Sequence, residues 1–232
     1  MCGRFAQTTE LTTLLKRFSF FGNIEDAAGV IPRYNIAPSQ RVPIILRDDQ
    51  GVKLEAMKWG LIPSWAHEHG TGNGLVNARS ETLSEKPSFK EAYRKRRCLV
   101  PATGFFEWKN GFGRTKTPHY FHRRDGAAFC MAGLWESWID PGDHEVRTFT
   151  IVTTEANEAV EPLHHRMPAM LDTNSEEVWL DSAVENGSDL QDLLVPFESE
   201  LMASHGVTPM LNSVAYEGAD CVERMAEQGD LF

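Results

Sequence analysis

The segment from residue 98 to residue 153 constrains the fold most, because it alternates short apolar runs with Gly, Pro and Asp turns. Runs of this kind, rich in β-branched and aromatic residues, are typical of β-strands. Strands that follow one another without intervening helices favour antiparallel pairing. We predict five strands here: Cys98–Val100, Gly104–Trp108, His119–Arg123, Ala127–Trp135 and Arg147–Thr153.

The remaining segments add a hairpin, four helices and one short strand. Arg41–Arg47 and Val52–Trp59 flank a turn at residues 48–51, which predicts a β-hairpin. Ala169–Leu171 predicts a short strand. Apolar spacing, capping residues and a proline at a helix start predict the helices: Thr8 or Thr9 to Phe18, Pro87–Arg96, Glu155–Glu161 and Glu176–Asp181.

This order of elements predicts an α+β fold rather than a doubly wound sheet. A length of 232 residues predicts a single domain over residues 1–232. Neither a G-x-G-x-x-G pattern nor a P-loop occurs, so dinucleotide and nucleoside triphosphate chemistry lack support. With no long apolar run and no leader sequence, we expect no membrane partner and a cytoplasmic protein.

Charge is distributed unevenly along the chain. The net charge is −10, but residues 1–135 carry 20 Lys and Arg against 12 Asp and Glu, while residues 136–232 carry 3 against 21. Such asymmetry indicates a polyanionic partner or an acidic tail. The densest basic run, Lys90–Arg97, fits a binding patch and the solvated face of a helix equally well.

The four cysteines predict thiols rather than a framework of disulfides or a metal centre. Cys2, Cys98, Cys130 and Cys221 show no C-x-x-C spacing. His67-Glu68-His69 lacks a third ligand nearby, and we expect neither a metal nor a cofactor.

Cys2 is chemically distinct from the other three cysteines. If Met1 is removed, an α-amine and a thiol stand on one residue, and their reference pKa values of about 7.7–8.0 and 8.5 leave usable unprotonated fractions near neutrality. An amine of this kind adds to an aldehyde, and the thiol can then close a five-membered thiazolidine. The alternative is a tolerated small residue at a frayed chain end.

Two polar residues interrupt apolar stretches further along the chain. Glu107 stands between Phe106 and Trp108, where partial desolvation would raise the pKa of its carboxyl group and suit it to proton transfer. The alternative is that Glu107 points outward from an amphipathic strand. His164 is equally open between a catalytic and a structural role.

Four segments together resemble the SOS response-associated peptidase (SRAP) family. They are Met-Cys-Gly-Arg-Phe at residues 1–5, Asn-Ala-Arg at 77–79, Phe-Glu-Trp at 106–108 and His-x-Arg-Met-Pro at 164–168. The resemblance implies a mostly antiparallel, barrel-like β core with peripheral helices. It also implies a monomer that attaches covalently to abasic sites in single-stranded DNA as part of the DNA damage response, and associates with the nucleoid when bound.

The resemblance also assigns roles to individual residues. The implied catalytic residues are Cys2, Asn77, Glu107 and His164. The implied DNA contacts are Arg4, Arg79, Arg166, Pro38 and Trp65. Ala66 follows Trp65 where a relative has a second tryptophan, so one stacking surface is missing. The acidic stretch after about residue 207 matches poorly and receives no assigned residue.

Two other functions remain open at this stage. A cysteine peptidase would use the Cys2 thiol on an amide, and the family name and removal of Met1 or a leading peptide by the protein itself fit that activity. A non-covalent single-strand-binding module would not need Cys2. A Schiff base at Cys2 could also promote β-elimination and nick the strand as a lyase.

Overall fold

The computed structural model describes residues 2–8, 16, 32–66, 75–110, 116–184 and 187–225. The strands in these ranges are β1 (Phe5–Gln7), β2 (Arg33–Ile36), β3 (Arg41–Asp48), β4 (Gly51–Trp59), β5 (Asn77–Arg79), β6 (Arg97–Ala102), β7 (Gly104–Asn110), β8 (Lys116–Arg123), β9 (Phe129–Ile139), β10 (Glu145–Glu155), β11 (Arg166–Pro168), β12 (Met170–Leu171) and β13 (Met202–Gly206). The helices there are α1 (Lys90–Lys95), α2 (Thr173–Leu180) and α3 (Gly187–Gln191). None of these helices has the length and apolar content needed to cross a membrane.

Five strands of the larger sheet close into a barrel in the order β10, β4, β3, β6, β9 and back to β10. Four of the pairings are antiparallel, whereas β4 and β10 run parallel with Trp59 opposite Phe149. Closure leaves these five strands without an unpaired edge. Together with the helices, the barrel confirms the predicted α+β class with a barrel-like core.

Helices cover one face of the barrel strands, and the alternation of side chains along each strand explains how. Ile45 and Leu99 point to the face where Tyr93 of α1 and Trp179 of α2 pack. The indole Nε1 of Trp179 donates to the carbonyl of Cys98 at 3.0 Å, so this buried donor is satisfied. The neighbouring positions along the same strands point to the opposite face, into a second apolar cluster.

The strand predictions are confirmed. The hairpin forms with full antiparallel register from Arg41 opposite Lys58 to Asp48 opposite Gly51. The five strands predicted between residues 98 and 153 are present as β6 to β10. Four of them are somewhat longer than predicted, whereas β9 is shifted from the predicted Ala127–Trp135 to Phe129–Ile139. The predicted strand at Ala169–Leu171 is present as β12.

Two of the helix predictions are confirmed at least in part. The helix predicted at Glu176–Asp181 is present as α2, whose N-cap Asp172 accepts a hydrogen bond from the Ser175 amide at 2.8 Å. The helix predicted at Pro87–Arg96 is shorter, since residues 87–89 form a turn before α1. The helix predicted from Thr8 or Thr9 to Phe18 falls largely outside the described residues.

The prediction of a helix at Glu155–Glu161 is wrong. Glu155 ends strand β10 and pairs with Arg166, and turns follow it. Asn157 organises these turns, because its Oδ1 accepts from the Val160 amide at 3.1 Å while its Nδ2 donates to the Phe197 carbonyl at 2.6 Å. Tertiary pairing of Glu155 and this local hydrogen bonding outcompete the weak helical preference of a seven-residue segment.

The N-terminal strand lies inside the smaller sheet, between β7 and the edge strand β2. The order of the sheet is β13, β8, β7, β1, β2, and Phe5 of β1 lies opposite Ile36 on one side and Phe105 on the other. Gly104 faces Ala6, and a Cβ on Gly104 would lie 2.4 Å from the Tyr120 ring, so only glycine fits there. Residues 2–4, which precede β1, are therefore anchored in the fold, not frayed.

Candidate active site

Cys2 lies three residues before the start of β1 and is completely buried. Its backbone carbonyl accepts a hydrogen bond from the side-chain Nδ2 of Asn77 at 2.9 Å. Asn77 is fixed in turn because β5 pairs with β10, with Asn77 opposite Ile151. The Oδ1 of Asn77 is buried and has no hydrogen-bond partner in the described part of the chain. An acceptor left in this state costs free energy unless a ligand satisfies it.

Burial raises the pKa of the Cys2 thiol well above its usual range, and the nearby charge of Glu107 raises it further. The thiol is therefore protonated at neutral pH. Activated cysteine nucleophiles instead have a lowered pKa, because a cation or a histidine stabilises the thiolate. This site lacks that signature of a thiolate nucleophile.

Glu107 lies on β7, and only 4% of it is exposed. Strand β7 is bonded to the segment that carries Cys2, because the Phe106 amide donates to the Arg4 carbonyl at 3.0 Å. Burial raises the pKa of the Glu107 carboxyl group to about 7, although the charge of Lys116 acts in the opposite direction. The pKa rise expected from the flanking aromatic residues is thus found, and at neutral pH the group can both accept and donate a proton.

His164 follows the turns after β10. Its Nδ1 lies 2.9 Å from the Arg166 amide nitrogen, from which it accepts when the proton is on Nε2, and 3.2 Å from the Arg166 carbonyl oxygen, to which it donates when the proton is on Nδ1. Burial lowers the pKa of His164, which favours the neutral ring. The neighbouring His165 stacks on it with ring centroids 4.5 Å apart and is itself exposed.

A cleft of about 540 Å³ brings part of this set together. Three of the residues named in the sequence analysis line it: Arg4, Glu107 and His164. Four further lining residues were not predicted: Trp108, Lys116, Leu163 and Asn212. Trp108 belongs to the recognised segment 106–108 and Leu163 directly precedes the segment 164–168, so both could have been found there. Asn212 was missed, because no residue after about 207 was assigned a role from the sequence.

The three arginines implied as DNA contacts have different surroundings. Arg79 is exposed on β5, whereas Arg4 lines the cleft with 9% exposure. Arg166 is 7% exposed, forms a two-pronged ion pair with Glu81 and also donates to the Thr153 carbonyl at 2.6 Å. The guanidinium of Arg166 therefore already has a structural task, and its contact with DNA remains a prediction.

Pro38 and Trp65 are not among the residues that line this cleft. Pro38 is half-buried in the turn after β2, next to Ser39, whose φ of 72° is left-handed. Trp65 is 55% exposed, so its ring is accessible to a ligand. Their contact with bases remains a prediction.

Metal binding finds no geometric support in the described residues. Among them, no group of three or more His, Cys, Asp or Glu side chains is arranged to hold an ion. His67 and His69 lie outside the described ranges. All four cysteines are described and buried, and none of them is paired in a disulfide, as the sequence predicted.

Comparison with known proteins gives one consistent family. The model of the SOS response associated peptidase (SRAP) family matches residues 1–214. The abasic site processing protein YoqW of Bacillus subtilis (strain 168) is 36% identical over 223 residues, which cover 96% of this chain and 99% of that protein. The abasic site processing protein YedK of Escherichia coli (strain K12) is 28% identical over 232 residues, covering 96% and 99%.

Solved structures agree with the sequence comparison. A crystal structure of a protein from Bacteroides thetaiotaomicron has a TM-score of 0.85 and 30% identity, and it covers 97% of this chain and all of that one. With its fold, its four recognised segments and a family match over residues 1–214, this chain belongs to the SOS response associated peptidase family.

Proposed function

We propose that this protein binds abasic sites in single-stranded DNA and becomes covalently attached to them through Cys2, which shields the lesion. The observation that carries the proposal is the position of Cys2, whose carbonyl is held by Asn77 beside a cleft that contains Glu107 and His164. The names of the relatives, abasic site processing proteins, support this choice of lesion. Removal of Met1 is part of the proposal, because it frees the α-amine.

The reaction proposed is condensation of an aminothiol with the aldehyde of the ring-opened sugar. The Cys2 amine adds to the aldehyde carbon, and the resulting carbinolamine loses water to give an imine. The thiol then adds across the C=N bond, with its sulfur on carbon and its proton on nitrogen. One water leaves overall, no oxidant is needed, and the product is a thiazolidine.

Proton transfer falls to Glu107 and His164 in this scheme. With a pKa of about 7, Glu107 can take a proton from the Cys2 ammonium group and return it to the departing hydroxyl. The pKa of His164 is lowered by burial, so its imidazole is neutral and has one ring nitrogen that donates and one that accepts a proton, which suits it to assist opening of the sugar ring. The buried Oδ1 of Asn77 is suited to accept a hydrogen bond from a sugar hydroxyl.

The strand is proposed to be held by Arg4, Arg79 and Arg166 on phosphates, with Pro38 and Trp65 against splayed bases. Forked hydrogen bonds to phosphate suit arginine, and one base stacked on an aromatic ring contributes about 1–3 kcal/mol. The exposed ring of Trp65 is consistent with that role. These contacts need only a local positive surface, so the acidic second half of the chain does not oppose them.

The site is less suited to a cysteine peptidase. That activity needs a thiolate, and burial raises the pKa of the Cys2 thiol. An amine that attacks first does not need a thiolate, since the thiol acts only on an imine already formed. The chemistry of the site therefore favours an aldehyde over an amide as substrate.

The test uses a labelled single-stranded oligonucleotide with one abasic site. The parent protein should give a band that survives a denaturing gel, and intact-mass measurement should show the chain without Met1 and an adduct lighter by one water than the sum of protein and DNA. Cys2→Ala should lose the denaturation-resistant thiazolidine. Cys98→Ala is the matched control, because Cys98 is equally buried but lies in apolar surroundings.

Each competing function predicts a different result. A non-covalent binding module would retain the strand with Cys2→Ala and release it in detergent. A peptidase would cleave peptides and leave the oligonucleotide unmodified. A crosslink at full yield in a chain that still carries Met1 would contradict the proposed amine chemistry.

Two accessory activities belong to the same proposal. The imine at Cys2 can nick the strand by β-elimination when ring closure is slow, and the folded protein can remove its own Met1.

We also propose a monomer that acts in the cytoplasm and associates with the nucleoid on damaged DNA. Sedimentation with and without abasic DNA checks the stoichiometry.

A further inference from the structure

Residues 209–225, here called the C-terminal strap, pack beside β2 and close one side of the cleft. Asn35 of β2 is fully buried, and its Nδ2 faces three strap carbonyls, those of Leu211 at 3.3 Å, Ser213 at 2.9 Å and Tyr216 at 2.7 Å. The strap also supplies Asn212, whose Oδ1 accepts from the Trp108 indole at 2.8 Å in the wall of the cleft.

The other end of the Asn35 amide holds Arg4. The Oδ1 of Asn35 accepts from Nη1 of Arg4, and the same Nη1 donates to the Leu211 carbonyl at 2.8 Å. Arg4 also lies over the Trp108 ring, with its guanidinium carbon 5.7 Å from the ring centroid. Asn35 thus joins the strap and Arg4, because its Nδ2 donates to the strap carbonyls and its Oδ1 accepts from Arg4.

This geometry uses one edge of the guanidinium and leaves the rest for a ligand. Arginine has five N–H groups, and Nη1 carries two of them. Within the described ranges every hydrogen bond of the Arg4 side chain leaves from Nη1. The N–H groups on Nε and Nη2 remain, on a side chain that lines the cleft two residues from Cys2.

We infer that Asn35 is a positioning residue that acts through Arg4, holding the guanidinium so that its remaining N–H groups meet a phosphate next to the damaged sugar. The inference rests on the proposed function for the identity of the ligand. A side chain held in advance loses less conformational freedom when it binds. Without Asn35, the buried guanidinium would keep only the Leu211 carbonyl and would turn away from the phosphate.

The plain alternative is that Asn35 only fastens the strap, and Glu217 offers a matched control for it. Glu217 ties the strap to β2 independently, accepting from Nε of Arg33 at 2.9 Å and from the Tyr34 amide at 2.8 Å. Glu217→Ala therefore weakens the same attachment without touching Arg4. A general loosening of the strap would affect Glu217→Ala and Asn35→Ala alike.

The experiment measures non-covalent binding of an intact single-stranded oligonucleotide by fluorescence anisotropy across a series of salt concentrations. Loss of one phosphate contact on a single strand reduces the slope of log K against log salt by about 0.7. Asn35→Ala should weaken binding about 5- to 10-fold at low salt and reduce the magnitude of this slope by about 0.7. In an Arg4→Ala background it should have little further effect, whereas Glu217→Ala should leave the slope unchanged.

Several results would overturn the inference. They are an unchanged slope for Asn35→Ala, effects of Asn35→Ala and Arg4→Ala that simply add, or an equal loss for Glu217→Ala. If Asn35→Ala does not fold, Asn35→Asp decides instead. It keeps the acceptor but neutralises Arg4 and loses the amide donors, so it should also lower the slope, and parent-like binding would refute the inference.

The readout separates this inference from the proposed function. Intact DNA has no aldehyde, so binding can be measured whether or not Cys2 reacts. A protein that shows the Asn35 effect but never forms a crosslink would refute only the covalent chemistry. A protein that forms the crosslink but binds independently of Asn35 would refute only the positioning role.

Discussion

Cys2 and Cys98 are both completely buried and belong to the same apolar cluster, yet their surroundings differ. Burial alone raises the pKa of Cys98, which lies on barrel strand β6 against Gly133. At Cys2 the charge of Glu107 adds to burial, and Asn77 holds the backbone. Removal from water therefore serves stability in the barrel, whereas at the cleft it changes the protonation of groups that can react.

The largest expected effect is on the reaction at the cleft. Glu107→Gln keeps the size of the side chain but cannot transfer a proton, so crosslinking at neutral pH should slow about 10²- to 10⁴-fold. Single-turnover gel assays with abasic single strands measure the rate. A variant that reacts at the parent rate would remove Glu107 from the proton-transfer role, and Glu217→Gln, altered at a carboxylate outside the cleft, is the matched control.

The second effect concerns the barrel. Leu99 is fully buried on the helix-covered face, so Leu99→Ala should lower the free energy of unfolding by about 2–5 kcal/mol through lost burial and a cavity. Urea denaturation measures the change. The crosslinking rate of the molecules that remain folded should match the parent, and a rate loss as large as that of Glu107→Gln would erase the distinction between the two regions.

The third effect is also on the free energy of unfolding, but here the substitution, Glu107→Gln, is expected to raise it. Folding raises the pKa of Glu107 from 4.5 to about 7, so the folded state holds its proton more tightly than the unfolded state. The stability of the parent should therefore fall as pH rises from about 4.5 to about 7 and then level off, by up to roughly 3 kcal/mol from this group. Glu107→Gln lacks this loss and should unfold at higher urea than the parent at pH 8.

The denaturation curves in this third test must be recorded at several pH values for both proteins. The difference between them should be smallest near pH 4.5 and largest above pH 7. A constant difference would mean that the pKa of Glu107 does not change on folding. A result of the expected form would show that the cleft keeps a destabilising carboxyl group for its chemistry.

The strands of this fold were predictable because their signals are local. Period-2 alternation and turn residues predicted the β3–β4 hairpin and strands β6 to β10 within a few residues. Closure of the barrel was not derivable in this way, since the parallel pair Trp59–Phe149 joins segments far apart in sequence. The helix predicted at Glu155–Glu161 failed because the pairing of Glu155 with Arg166 is a tertiary effect.

The site shows the same division between local and long-range information. Glu107 and His164 were identifiable from their local surroundings, although each had two possible roles, whereas Asn77 was singled out only by resemblance to a family. Asn35 and Asn212 were not assigned roles, because their contribution depends on contacts between distant segments of the chain. A polar residue that acts by holding another leaves no periodic pattern.

The position of β1 between β7 and β2 in the smaller sheet has a consequence for protein synthesis. Strand β1 leaves the ribosome first, but its neighbour β7 begins at Gly104, and His164 comes later still. A nascent chain therefore carries Cys2 for most of its translation without the partners that surround it in the finished molecule. Any reaction of Cys2 that depends on Glu107 and His164 must therefore wait until the chain has been synthesised past residue 164 and has folded.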